Sequence, residues 1–457
     1  MEVTSSPTGI LQSRSSVGSI LSSYGSIGST SILSEEIAGS PFRKKNGLSV
    51  LSAAIFIVGE MAGSGVLALP RAVVDSGWIG LILVIVFCVN SCYGGTRLGI
   101  CWEILEERYP EYKGSTRNPY PTIAERAVGQ WCRKLVSACI QITLFGAGVV
   151  YLLLASQIFQ ELLKHFLPKV TFCSWFLLFA ALITPPMWLG SPKDFLLVGV
   201  GAILSTAIAC TLIFVQIVKD GINKTEPAPH IPHNFKDFFL SFGVILFAFG
   251  GASTFPTIQN DMTNRKKFTK SVYAAFVVIL VLYLPIAVGA YFVYGEHTNA
   301  NIILSLNGGI MITLANVFLV IHLVLAFLIV INPVAQEIEN IFDVPHEFGF
   351  LRCIVRTCMV LLMVMVGESV PQFSKILALV GGSTITLLTF VLPNYFYMKL
   401  CSQESPDWVK REIPLHMRIY MWELILIGIF GGLASTFSAI HAIFNIHSIV
   451  KPCYWIF

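Results

Sequence analysis

From residue 47 onward the chain keeps returning to apolar runs of spanning length. About 20 helical residues cross a hydrocarbon core of roughly 30 Å. Inside lipid every backbone N–H and C=O must find a partner within the protein, so such runs can be only helices or the strands of a closed barrel. Barrel strands would be about ten residues long and alternate in polarity, and these runs do neither. Eleven stretches qualify, near 47–73, 78–100, 135–162, 172–189, 196–218, 239–259, 271–293, 309–335, 351–367, 373–398 and 421–444. The expected fold class is an all-α polytopic membrane protein with about 11 transmembrane helices. Charged residues make up only 12 % of the chain, against about 25 % in soluble domains.

Two of these stretches are spoiled in the middle. The first carries Glu60 and then Gly63-Ser64-Gly65; the second, about halfway along the chain, carries Gly250-Gly251-Ala252-Ser253. Glycine weakens a helix, and an ionised group at bilayer depth is costly, so neither run suits a simple anchor. Paired interruptions in the two halves of a chain are the sequence mark of a secondary transporter site. A helix unwound at that depth exposes main-chain groups, tolerable only where protein, substrate or ion meets them. The half-helix after the first break offers free N–H groups to an anion, and the carbonyls ending the half-helix before it suit a cation. Together they describe a pocket for a zwitterion, a free amino acid. Close helix packing is the other use of such glycines.

Around Gly63 the residues Gly63-Ser64-Gly65-Val66-Leu67-Ala68-Leu69-Pro70, then Ala72 and Ser76-Gly77-Trp78, resemble the first-helix signature of the amino acid/auxin permease family. The resemblance extends as hydropathy and loop plan over roughly 47–444. It implies a LeuT-type fold, two inverted repeats of five helices plus one extra helix, with interrupted helices 1 and 6 holding an amino acid. It also implies that Tyr151 in the third span and Phe255 just past the second break stand beside the substrate. Arg71 and Glu60 depart from the family pattern.

Glu60 lies about one helical turn before Gly63, so its side chain can reach the same cavity. It is a candidate proton-coupling group, with a structural carboxylate as the alternative. His322, alone on the apolar eighth span, is the second candidate for a proton path, with a packed core histidine as its alternative. That span has no Ser or Thr from Asn316 to Asn332, where a LeuT-type sodium site would draw hydroxyl oxygens. Proton coupling, or no coupling, is therefore expected ahead of sodium, with the proton as the expected coupling ion, and no cofactor is expected. Pro285 and Pro333 remove a ladder bond each and are expected to bend their helices.

With the N-terminus cytoplasmic, only Arg71, Lys164, Lys169, Lys219, Lys224, Lys236, Lys375 and Lys451 of the 30 basic residues fall in outer segments. That bias sets the orientation and leaves the C-terminus outside. Asn223-Lys224-Thr225 is a glycosylation acceptor in a loop assigned outside. The first 46 residues hold 13 serines and five glycines and read as a disordered cytoplasmic tail. Tyr24-Gly25-Ser26-Ile27 within it has the spacing of a sorting signal for trafficking adaptors. The domain plan is thus a tail at 1–46, a membrane domain at 47–444 and a short outer C-terminus at 445–457.

A metal or thiol site is not expected, since the 11 cysteines form no C-x-x-C pair; Cys173 and Cys453 both fall near the outer face. Scattered basic residues give no footing for nucleic acid. The partners expected are a free amino acid and the lipid bilayer, in a plasma, lysosomal or vesicular membrane. No nucleophile, base and orienter share one depth, so an enzyme is not expected. The expected activity is secondary active transport of small neutral amino acids by alternating access. A sensor that binds an amino acid without moving it, a sodium-coupled symporter and a passive channel are the alternatives. A channel would show rings of charge or filter repeats.

Overall fold

A hydroxyl begins the first span: Ser49 Oγ accepts from the backbone N–H of Ser52 at 3.1 Å and caps helix α1, Val50–Met61. The chain then bends by 59° through Ala62 and Gly63 into α2, Ser64–Asp75. Gly77 turns it with φ +65°, a conformation glycine adopts without strain, and α3 follows as Trp78–Arg108. The computed structural model describes residues 47–457 except 115, 165, 190–194, 225, 231–234, 346, 446–452 and 454–457. The expected tail and its Tyr24 motif lie outside the described residues.

After a 3₁₀ turn at Pro110–Lys113 come α4 (Pro119–Ala127), α5 (Gln130–Leu163), α6 (Phe172–Trp188) and α7 (Phe195–Ile222). The second spoiled span divides into α8 (Phe235–Ala248) and the short α9 (Phe255–Asn260), six non-helical residues apart. Next are α10 (Phe268–Val293), α11 (Ile310–Ile341) and α12 (Phe350–Ser369). α13 (Phe373–Val380) passes through two π-helical segments, Gly381–Ile385 and Leu387–Val391, into α14 (Leu392–Cys401), and α15 is Leu415–Phe444. Among the described residues no strand forms, and eight helices are long and apolar enough to cross a membrane, in addition to the bent α1–α2 pair. The fourth expected span is the 17-residue α6 and the sixth is α8 with α9. Leu361, Met365, Phe430 and Leu433 are among the large apolar side chains left on the outside, as lipid contact requires. The protein is an integral, multi-pass membrane protein.

Both broken spans lie inside the bundle. α1 packs on α7 and α10, α2 on α8 and α10, while α5, α7 and α11 stand together behind the first break. Ala53, Ile57, Val66, Leu67 and Leu69 are all fully buried. An ion pair stiffens the surrounding wall. Arg356 on α12 reaches Glu339 on α11 at 2.5 Å and the Met187 carbonyl of α6 at 2.7 Å, with both charged side chains 1 % exposed. Pro285 and Pro333 are carried inside continuous helices.

Residues 101–134, whose Glu, Arg and Pro content reads as a cytoplasmic loop with a short surface helix, instead carry a helix packed into the protein. Tyr120, Ile123 and Ala124 of α4 are buried, and the Tyr120 hydroxyl donates to the Leu388 carbonyl of the second π segment at 2.7 Å. A π-turn displaces carbonyls from the regular ladder, and an outside hydroxyl meets one of them here. Cys173 at the start of α6 is disulfide-bonded to Cys453, with their Cα atoms 5.5 Å apart. Asn223 is exposed just past α7, where an acceptor asparagine is reachable; Thr225 of its tripeptide lies outside the described residues.

Candidate functional site

The two breaks meet. Thr254, at the end of the second non-helical segment, donates its hydroxyl to the Glu60 carboxylate at the end of α1, and also lies 3.1 Å from the Gly251 carbonyl. A methyl group built on Gly251 would fall 2.6 Å from the Met61 side chain, and one on Gly65 would fall 2.7 Å from the Ala248 Cα. Gly250 faces Ile385 in the same way. These glycines let four half-helices approach where any side chain would hold them apart. Ser64, Ala252 and Ser253 are buried beside them.

Three hydroxyls reach the carbonyl end of α1. Tyr283 on α10 donates to the Met61 carbonyl at 2.8 Å, Thr206 on α7 to the Ala62 carbonyl at 3.1 Å, and Tyr151 on α5 to the Glu60 carbonyl at 3.4 Å. The last carbonyls of a helix lack partners within it, and here neighbouring helices supply them. Tyr151 thus stands at the first break, and its side chain also meets Ser64. Phe255 packs against Phe268 and Phe276 and touches Gly95 and Gly251. Tyr283 and Thr206 escaped the sequence reading. A tyrosine in an apolar span two residues before Pro285 was the only available signal.

His322 is fully buried against the first break. Its Nδ1 lies 3.0 Å from the Ala202 carbonyl of α7, which makes Nδ1 the protonated nitrogen of the neutral ring. Its Nε2 has no hydrogen-bond partner and sits 2.3 Å from where a Gly63 Cβ would be. The structure therefore brings both expected titratable residues, Glu60 and His322, to the end of α1.

Ties close the bundle on either side of this junction. On one side Leu48 pairs with the chain beyond α9, its N–H donating to Asp261 O at 2.8 Å and its carbonyl accepting from Thr263 N at 2.9 Å. Arg265 there pairs with Glu106 and donates to the Asn260 carbonyl at 3.0 Å. On the other side Arg71 of α2 donates to the carbonyls of Glu296 and Thr298 at 3.0 and 2.9 Å and pairs with Asp75 at 2.7 Å. The same loop is fixed to α7 by Asn307, whose Nδ2 donates to Asp220 at 2.9 Å. Tyr294 donates to Asp220 at 2.6 Å; burial and that carboxylate push its phenol above the ordinary range.

Two severed helices meeting at a buried polar junction, within a wall of membrane-length helices, define a multi-pass membrane protein with an interrupted core. The family described as "Transmembrane amino acid transporter protein" matches residues 46–440, and the chain belongs to that family. Arabidopsis thaliana relatives include the amino acid transporters AVT1B (26 % identical over 358 residues, 75 % of this chain and 63 % of that protein) and AVT3B (25 % over 396 residues, 84 % and 91 %). The chain thus spans less than two thirds of AVT1B. A solved Eremococcus coleocola manganese transporter superposes over 92 % of this chain and 94 % of its own with a TM-score of 0.57 at 10 % identity. That likeness extends to the fold alone.

Proposed function

We propose that the protein is a secondary active transporter of small neutral amino acids that works by alternating access and is driven by protons. The carrying observation is the hydrogen bond between Glu60 and Thr254, which links a carboxylate on the first broken helix to the main-chain opening of the second. The amino acid carboxylate would meet the first N–H groups of α2, from Ser64 and Gly65, and its ammonium the carbonyls around Gly250 and Gly251, with Ala252, Ser253, Tyr151 and Phe255 as neighbours. Met61, Ala248 and Ile385 crowd the glycines, which supports a small, uncharged substrate side chain.

Proton coupling is favoured over sodium by the same geometry. The carbonyls of Glu60, Met61 and Ala62 already accept from protein hydroxyls, and His322, not a serine or threonine, faces Gly63 from α11. Glu60 is the carrier in this reading and His322 a second group on the proton path. The ties at Leu48 and Arg71 would open in turn as the junction faces one side and then the other. Eleven crossings, with an inverted repeat in the first ten, complete the proposed plan, and the basic-residue bias supports a cytoplasmic N-terminus with Asn223 outside.

The test is uptake of a labelled amino acid panel into proteoliposomes, with and without an inward pH gradient and with sodium replaced by potassium. Gradient-driven accumulation of small neutral amino acids, insensitive to sodium, is expected. Binding without accumulation would make the protein a sensor and defeat the proposal.

A further inference from the structure

Counted from Trp78 at about 1.5 Å per residue, a hydrocarbon core of roughly 30 Å ends near residue 98 of α3. Arg97 therefore stands at headgroup level on the face that also carries the α14–α15 linker. Its guanidinium lies between two rings, 4.7 Å from the centre of Tyr93 and 4.9 Å from that of Tyr397. Tyr93 in turn packs edge-on to Tyr420 of α15 at 5.0 Å. Among the described residues Arg97 forms no ion pair, and its Nε is buried without a hydrogen-bond partner.

Two more arginines share that condition close by. Arg108 stacks over Trp408 at 4.4 Å and donates from Nη1 to Gln403 at 3.1 Å, but its Nε is buried and unpaired. Arg411 pairs with Glu107 at 2.6 Å through Nη2, while its Nη1 is buried and unpaired. The linker wraps a hollow of about 810 Å³. Arg108 rests on Trp408 and Gln403, which line the same hollow as Arg411, and Arg97 stacks on Tyr397, one turn before the hollow-lining Cys401 of α14. Lys410, Arg411 and Arg418 line that hollow together with Glu404 and Glu412, and Lys410 faces Glu412 at 3.8 Å.

We propose that the Arg97, Arg108 and Arg411 cluster binds the phosphate of an anionic headgroup. A buried guanidinium nitrogen without an acceptor is costly, and phosphate oxygens match the planar fork in pairs. The tyrosines and tryptophan around the cluster are the residues that gather at the headgroup boundary. The ligand is therefore a phosphate oxyanion, drawn either from a phospholipid of that leaflet or from solution. The proposal does not depend on what the protein carries.

The full chain in phosphatidylcholine nanodiscs tests this by native mass spectrometry and thermal unfolding, with phosphatidylglycerol, phosphatidylinositol 4-phosphate or inorganic phosphate added. Selective retention of an anionic lipid, with a higher unfolding midpoint, is the expected result. Arg97→Gln and Arg411→Gln should each weaken retention by about tenfold, as loss of a charge-assisted bond implies. Stabilisation by inorganic phosphate alone would support the same oxyanion site with a soluble source. The proposal is overturned if the wild type prefers no anionic lipid over phosphatidylcholine and ignores phosphate. It is equally overturned if both variants, folded, retain the lipid as the wild type does.

Discussion

Replacing Gly63 by alanine tests the packing on which the first break depends. The added methyl would lie 2.3 Å from His322 Nε2, roughly 1 Å short of an ordinary carbon contact. The imidazole cannot simply withdraw, because its other nitrogen is held at 3.0 Å by the Ala202 carbonyl. Overpacking of this kind costs about 1–3 kcal/mol, and surrender of the Ala202 bond adds about 1 kcal/mol. Gly63→Ala should therefore lower stability by about 2–4 kcal/mol, read as a fall in the thermal unfolding midpoint in nanodiscs, with uptake reduced in parallel. His322→Ala removes the obstacle, so the two changes together should be less damaging than their separate effects predict. Equal damage from Gly63→Ala with and without His322 would refute the argument, as would an unharmed single variant.

Three further outcomes are expected. Glu60→Gln keeps a partner for Thr254 but cannot exchange a proton, so uptake should persist as exchange while losing its response to a pH gradient; an active variant with the wild-type response removes Glu60 from coupling. Arg71→Gln should loosen its tie by about 1–2 kcal/mol, discounted because Arg71 is 31 % exposed, and, on the proposed orientation, raise labelling of a cysteine placed at Ala72 by an impermeant maleimide from outside. Arg356→Met leaves the buried Glu339 carboxylate with Arg352 alone, at 3.4 Å, and should destabilise by about 1.5–3 kcal/mol, whereas Arg356→Met with Glu339→Leu should recover part of it; equal unfolding midpoints for the two would contradict the pairing.

The membrane class and both breaks were legible because lipid enforces them: apolar length declares a crossing, and clustered glycines at mid-span declare a place where helix can stop. Glu60 and His322 could be picked out because ionisable groups are rare at that depth. Their shared destination at the end of α1 could not, since the contact of Gly63 with His322 joins residues far apart in the chain. Tyr283 and Thr206 were hidden for a different reason. A hydroxyl amid apolar neighbours looks the same whether it bonds its own helix or caps another. Arg71 stood out as a departure from the family, and only the fold supplies its carbonyl partners 225 and 227 positions away. In α4 the charges of 111–126 masked the apolar Tyr120, Ile123 and Ala124, so its burial went unread.

Among the described residues the two π-turns between Gly381 and Val391 make this stretch unlike any other. Each loop of chain there holds a surplus position relative to regular winding. Excising one amino acid should let the local coil tighten and leave α13 and α14 in phase, whereas the same deletion in α11 would swing all that follows by about 100°. The surplus is a reserve of slack, and Tyr120 has its hydroxyl on the turn where that slack is kept.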